Sequence, residues 1–520
     1  MARAFAQTVA ARPDAPALVD ERGTTTWKTF DARVDRLIHA LRGAGLGAGD
    51  TVALLTENRR EYFEVMAAGM HAGLAVVPVN WHWVARELAY VIDDSDAAAL
   101  VVDDRHLPVA VEAAAADESA RCRLRVAMTD DAPAGFESYE TLLAAAPADE
   151  PEEQTAGGPM FYTSGTTGFP KGVRTTLVPA GADPAVLVML ARAVLGLFGV
   201  PPDGVALLAG PAYHSAQWAF SMLPLVAGQT VVMRHRFDPA ETLELIDRHR
   251  VTNVHLVPTQ FIRLLKLPDA ERARFRGDSL VAAIHGAAPC PPEVKRRMLA
   301  WWGPKITEYY GGTEGGFLTI ITGEEWLRKP GSVGRATPLA EILVVKEDGT
   351  LARPNEPGQI YFRSRTGADF HYHKDPAKTE AAHLEPGVGT LGDVGYLDED
   401  GYLFMSDRKI DMIISGGVNI YPAEIESVLV THPAVADAAV FGIPHEEMGE
   451  EVKAAVELVP GATPSEALAA ELIAHVRRHL AGYKAPRSID FEPALPRHPT
   501  GKLYKRLLRD RYWERTGRRI

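Results

Sequence analysis

The chain has 520 residues, 46% hydrophobic and 24% charged, and a formal net charge of -13 at pH 7. Such a length exceeds one simple core and implies two or more domains, while the acidic balance excludes a nucleic-acid binder, whose affinity comes from basic surface releasing counterions. Two cysteines, Cys122 and Cys290, leave no disulfide framework and no structural zinc cluster, as expected of a cytoplasmic protein.

Residues 1–14 carry two arginines without a continuous apolar core and read as a short amphipathic helix rather than a signal peptide. From Thr51 to Asp103 the pattern alternates: strand 52–55, helix 61–71, strand 75–78, helix 84–92, strand 98–102. Such alternation implies right-handed βαβ units on a parallel sheet. The apolar stretches at 65–79 and 185–200 are interrupted by His71 and Arg192 and fall short of a membrane span, so no integral membrane association is expected.

An Ala-rich acidic stretch, Leu142 to Gly158, reads as a surface loop or linker. Short apolar runs at 205–208, 230–233, 253–256, 280–284 and 306–309 follow, each separated by a predicted helix. Near Asp407 the style changes to helix 423–430, strands 438–441 and 452–458, and helix 465–480. The expected architecture is a large multi-sheet α/β N-terminal domain over 1–407 and a small α+β C-terminal domain over 408–520, a usual domain size.

The run Tyr162-Thr-Ser-Gly-Thr-Thr-Gly-Phe-Pro-Lys-Gly172 follows a predicted strand at 159–162. Gly165 and Gly168 allow tight turns, and Thr163, Ser164, Thr166 and Thr167 offer hydroxyls beside main-chain N–H groups. Such a loop wraps a polyphosphate, with Lys171 as a point charge. It is not a Walker A loop, because Pro170 precedes the lysine and Gly172 follows it. Further along stand Pro211-Ala-Tyr-His-Ser215, His285-Gly-Ala-Ala-Pro289, Tyr309-Tyr-Gly-Gly-Thr-Glu-Gly315, Gly392-Asp393, the glycine-bearing run Asp407 to Pro422, and Leu495-Pro-Arg-His-Pro-Thr-Gly-Lys502.

These motifs, in this order and over nearly the whole chain, resemble the adenylate-forming superfamily of acyl-CoA synthetases, luciferase-like enzymes and non-ribosomal adenylation domains. The resemblance implies that Thr163, Ser164, Gly165, Thr166, Thr167, Gly168 and Lys171 hold the ATP phosphates. It places Gly286, Ala287, Ala288 and Tyr309 at the nucleotide, stacks Tyr310 on adenine, and gives Thr313 to phosphate and Glu314 to Mg²⁺. Asp393 would accept the ribose hydroxyls, as a carboxylate suits a vicinal diol, and Arg408 would reach ribose or phosphate. His214, Ser215, Gln217, Trp218, Gly286, Gly311, Gly312 and Gly316 would line the acyl pocket, and Gly416 and Gly417 the coenzyme A channel.

Lys502, His214, Thr163 and Glu314 form the implied catalytic set, with the C-terminal domain rotating about residue 410 between half-reactions. Two positions depart from the family: Leu391 replaces a threonine and Ile410 a lysine or aspartate at the pivot. The implied function is an AMP-forming acyl-CoA synthetase using ATP, Mg²⁺ and coenzyme A on a bulky or extended hydrophobic carboxylic acid, as monomer or homodimer. The rivals are an acyl-AMP ligase with another acceptor, a half-reaction specialist, and a non-catalytic nucleotide-binding homologue. The last is disfavoured because Glu314, Asp393 and Lys502 are all present.

Overall fold

The computed structural model describes residues 2–115, 122–163, 170–178, 181–408, 413–415, 418–445, 448–480, 482–497 and 503–513. The expected βαβ units form a six-stranded sheet, in which Thr51–Leu55 lies between Ala75–Pro78 and Ala97–Asp103, with Leu124–Met128 beyond. All of its pairings are parallel, and Ala97–Asp103 is buried along its whole length, as a strand covered on both faces must be. Helix Arg60–Ala72 stops at Gly73, which takes the left-handed conformation (φ 72°) that a side chain disfavours. The stretch read as a linker is partly ordered: helix Tyr139–Ala145 occupies its start, and Gly158–Pro159 adds to the edge of Ala75–Pro78.

A second sheet, of fourteen strands among the described residues, organises the site. Its first half is parallel: Pro16–Asp20, Thr230–Met233, Val205–Leu208, Asn253–Leu256, Ala282–His285 and Ile306–Gly312 lie side by side in that order. The remainder is antiparallel, running through Gly316–Ile321, Ser332–Ala336, Leu403–Arg408 and Val388–Leu397. The change of sense falls at the hairpin Ile306–Ile321, so the turn 312–316 projects where the two halves meet. A three-stranded sheet, Phe161–Thr163, Lys171–Thr175 and Phe370–Tyr372, stands separately.

The C-terminal region forms its own five-stranded sheet, centred on the long pair Val435–His445 and Gly449–Leu458. Helices Pro422–Leu429 and Glu466–His479 cover one core, which includes Ile425, Leu429, Leu472 and Val476. Helix Lys505–Trp513 buries Leu508 against Phe441 and Leu495, and the Trp513 indole donates to the Gly442 carbonyl at 3.1 Å.

Candidate active site

Thr163 and Lys171 are cross-strand partners, so the two ends of the proposed phosphate loop are fixed opposite one another. Ser164, Gly165, Thr166, Thr167 and Gly168 themselves lie outside the described residues, as do Ile410, Gly416, Gly417 and Lys502. The third strand of that small sheet contributes a residue that sequence reasoning missed. Tyr372 lies beneath the Lys171 ammonium, 5.0 Å from ring centroid to Nζ, and donates its hydroxyl to Glu314 Oε1 at 3.1 Å. Burial, then the charge of Glu314, raises the Tyr372 phenol well above its usual range, so it stays a donor. Lys171, Tyr372 and Glu314 therefore form one connected unit.

The hairpin turn explains its own glycines. A Cβ on Gly311 would stand 1.8 Å from the Gly316 carbonyl oxygen, and Gly316 itself has φ 64°. Gly312 faces Leu391, whose methyl groups would be 3.1 and 3.2 Å from an added Cβ. Gly311 and Gly316 are thus required by the hairpin itself.

Strand alternation sends Tyr309 and Tyr310 to opposite faces. Tyr310 donates to Asp393 Oδ2 at 2.8 Å, uniting the residues expected at adenine and ribose. Tyr309 instead enters the core, where its hydroxyl meets His255 Nε2 at 3.2 Å, which corrects its placement at the nucleotide. The departure at Leu391 is compensated one residue earlier. Thr390 donates to the Ile360 carbonyl at 2.7 Å and accepts from the Gly392 N–H at 3.0 Å, holding the turn (Gly392 φ 80°) that presents Asp393. Arg408 ends its strand paired with Asp393, so its backbone lies alongside.

His214 is the N-cap residue of helix Ser215–Val226. The loop before it is pinned by three buried side chains that the sequence did not single out. Asn58 donates to the Gly210 carbonyl (2.9 Å) and accepts from the Ala212 N–H (2.8 Å), Tyr62 donates to the Ala212 carbonyl (2.6 Å), and Gln260 to the Ala209 carbonyl (2.6 Å). The His214 and Tyr213 rings lie 4.2 Å apart between centroids, and Ser215 Oγ reaches Thr313 Oγ1 at 2.9 Å, tying the helix start to the hairpin turn.

Gln217 is buried and bonded to His255 Nδ1 at 3.0 Å. Trp218 packs on Phe161 at 5.7 Å, and its indole N–H meets no acceptor among the described residues. Gly286 also serves packing, since a Cβ there would stand 2.7 Å from the Tyr309 ring and carbonyl. Ala287, which follows, is held at φ 65°, a conformation that costs a non-glycine residue about 1–2 kcal/mol and turns the chain sharply at the strand end.

Arg497 and Leu503 form a β-bridge, and the Tyr504 N–H donates to the Pro496 carbonyl at 2.8 Å. Burial chiefly, with a contribution from Tyr504, raises the Tyr213 phenol, and Tyr504 is itself raised by burial and then by Glu87. The C-terminal domain thus reaches the His214 loop. For a metal, Glu314 offers one hard carboxylate oxygen donor, and no group of three or more His, Cys, Asp or Glu side chains able to hold a metal ion is found among the described residues. One carboxylate completed by substrate phosphates is the set Mg²⁺ takes, so these residues fit it.

The family model of AMP-binding enzymes matches residues 5–369, and that of the AMP-binding enzyme C-terminal domain matches 424–502. The chain belongs to the AMP-binding, adenylate-forming enzymes. Among its relatives in this family is a fatty acid–[acyl-carrier-protein] ligase of Streptomyces coeruleorubidus, ScoC, 31% identical over 98% of this chain and 95% of that one. A feruloyl-CoA synthase of Amycolatopsis sp. is 34% identical over 96% of both chains. Among solved structures, the amide bond synthetase McbA of Marinactinospora thermotolerans superposes with a TM-score of 0.82 at 28% identity, over 98% of this chain and 100% of that one. The expected fold class, a large α/β portion with a separate C-terminal α+β domain, is that of this adenylate-forming family. No helix among the described residues is long and apolar enough to cross a membrane.

Proposed function

We propose that this adenylate-forming enzyme activates a bulky hydrophobic carboxylic acid as its acyl-adenylate and transfers the acyl group to coenzyme A. The observation carrying this reading is the Lys171–Tyr372–Glu314 unit standing with Thr163 and the Tyr310–Asp393 pair around one hairpin turn. A carboxylate oxygen attacks the α-phosphorus of ATP, the bond to the bridging oxygen breaks, and pyrophosphate leaves with its electron pair. The coenzyme A thiolate then adds to the acyl carbonyl and AMP departs.

In this reading Asp393 binds ribose, Tyr310 covers adenine, and Thr163 with Lys171 and the 164–168 loop binds the phosphates. Bound at Glu314, Mg²⁺ would supply positive charge to the phosphates. Lys502 supplies the other cation: a unit-charge pair about 4 Å apart at an effective dielectric near 20 is worth roughly 4 kcal/mol, about a thousandfold in rate. His214 borders acid and thiol, and residues 1–407 and 408–520 act as the two moving parts in the cytoplasm, with Gly416 and Gly417 at the thiol channel.

Pyrophosphate release from ATP with a panel of acids, with and without coenzyme A, tests this. The expected result is acid-dependent release that becomes multiple-turnover, with thioester, when coenzyme A is added. Relatives named for carrier-protein ligation and amide synthesis make the acceptor the decisive variable. Release without thioester would assign the chain to another acceptor.

A further inference from the structure

Between helix Ser215–Val226 and hairpin Ile306–Ile321, which carry Ser215, Trp218 and Gly312 of the proposed acid site, aromatic rings interlock and would form its floor. Phe220 of the helix and Phe317 of the hairpin stand 5.3 Å apart. Phe198 touches both, at 5.0 and 5.1 Å, and Tyr309 lies 5.0 Å from Phe317. Behind Phe220, the His255 ring stacks nearly flat, at 5.0 Å and 5°. Centroid separations near 5 Å are direct ring contact, and carbon atoms need about 3.5–4.0 Å from every neighbour. These contacts leave no room for a methylene chain to pass between the Phe198, Phe220, Tyr309 and Phe317 rings.

The bordering glycines add no depth, because the Tyr309 ring and the Gly316 carbonyl already occupy the space their missing side chains leave. The polar groups in the floor are turned inward: Gln217 bonds His255, and His255 bonds the Tyr309 hydroxyl. Burial pushes His255 down to about 3, so the floor offers no cation to a second carboxylate at neutral pH. Phe198, Phe220, Tyr309 and His255 are buried, whereas Phe317 and Trp218 are only partly covered and leave ring surface accessible.

We propose that the site, if it adenylates as argued above, takes a compact monocarboxylic acid built on one or two rings and excludes long-chain fatty acids. A flat ring fits against an aromatic wall edge-to-face or offset, whereas a long tail would have to break the interlocked cluster. The proposal narrows "bulky or extended" to bulky and short.

The test measures pyrophosphate release with benzoate, cinnamate, octanoate and palmitate. For the wild type, kcat/KM with the better ring acid should exceed that with palmitate by about 100-fold, the range apolar pockets achieve on size. Phe317→Ala, opening the floor, should raise palmitate relative to cinnamate by about tenfold, while Phe317→Leu, which keeps most of the volume, should preserve the exclusion. Thermal unfolding checks that both variants fold, and Phe317→Val replaces the alanine variant if it does not.

Palmitate used as well as the ring acids by the wild type overturns the substrate class while leaving adenylation standing. An unchanged palmitate-to-cinnamate ratio in the folded, opened variant overturns the role of the wall. Release with no acid of any length sinks the adenylating reading itself.

Discussion

Tyr372 illustrates what one side chain decides. It lies 58 residues from Glu314 in the chain, within a short Phe-His-Tyr run that carries no motif, yet its hydroxyl fixes the carboxylate expected to hold Mg²⁺. A hydrogen bond to a charged group is worth about 1.5–3 kcal/mol. Tyr372→Phe should therefore lower kcat/KM for MgATP by about tenfold or more, with the Mg²⁺ requirement raised, read by titrating Mg²⁺ at fixed ATP. If Tyr372 acts through Glu314, the same change in a Glu314→Ala background should cost little further. Leu391 was equally illegible in isolation: the sequence showed a lost hydroxyl, and only the fold shows Thr390 bonding the turn that presents Asp393.

Strand Ile306–Gly312 and helix Pro292–Trp302 are clamped together by charge. Fully buried Lys295 pairs with Glu308, its ammonium 5.0 Å from the Trp326 ring centroid, while His285 Nε2 lies 3.6 Å from the same carboxylate. Removing one partner of a buried pair leaves an uncompensated charge, so Lys295→Met should cost about 3–5 kcal/mol in chemical denaturation. Burial already holds the Glu308 carboxyl above its usual range despite Lys295. The penalty should therefore shrink as pH falls and the carboxyl protonates, and Lys295→Met with Glu308→Gln should recover much of the loss. The elements were readable because alternation of buried strands and helices is local. Their clamp was not, because a lysine and a glutamate 13 residues apart look like any surface pair.

At the scale of the molecule, two domains meet where Lys266 donates to the Val435 and Ala436 carbonyls at 3.2 and 3.1 Å. Division of labour between half-reactions predicts opposite phenotypes. Lys502→Ala should lose acyl-adenylate formation by about a thousandfold yet convert supplied acyl-adenylate to thioester, whereas Gly417→Leu should accumulate adenylate. Equal loss of both half-reactions in Lys502→Ala would refute the division.

Acid should weaken the large domain through two buried histidines. Burial pushes His71 down to about 4 and His255 to about 3, from an ordinary 6.5. Below 6.5 the unfolded chain binds the proton and the folded one does not, so stability falls as pH drops toward those values. Between pH 7 and pH 5 each histidine should cost about 2 kcal/mol. Denaturation midpoints at the two pH values check this, and His255→Phe should flatten its share.

The sequence by itself determined the two-part α/β architecture and the order of the glycine and hydroxyl motifs. Helix and strand periodicity, tight turns and phosphate-binding loops are encoded in contiguous residues, whose chemistry is local. It also marked the glycine motif Tyr309–Gly315, whereas the hairpin that requires Gly311 and Gly316 became visible only in the fold. Only the tertiary structure decided which side chains hold those motifs in place and how deep the acyl pocket runs. Phe198, Phe220, His255 and the hairpin pair Tyr309 and Phe317 come from four separate stretches of chain, and helix-on-sheet packing brings their rings together. Pocket shape is set by side-chain volumes meeting in space, and Gly286 and Gly311, expected to line the acyl pocket, have neighbours packed directly against them.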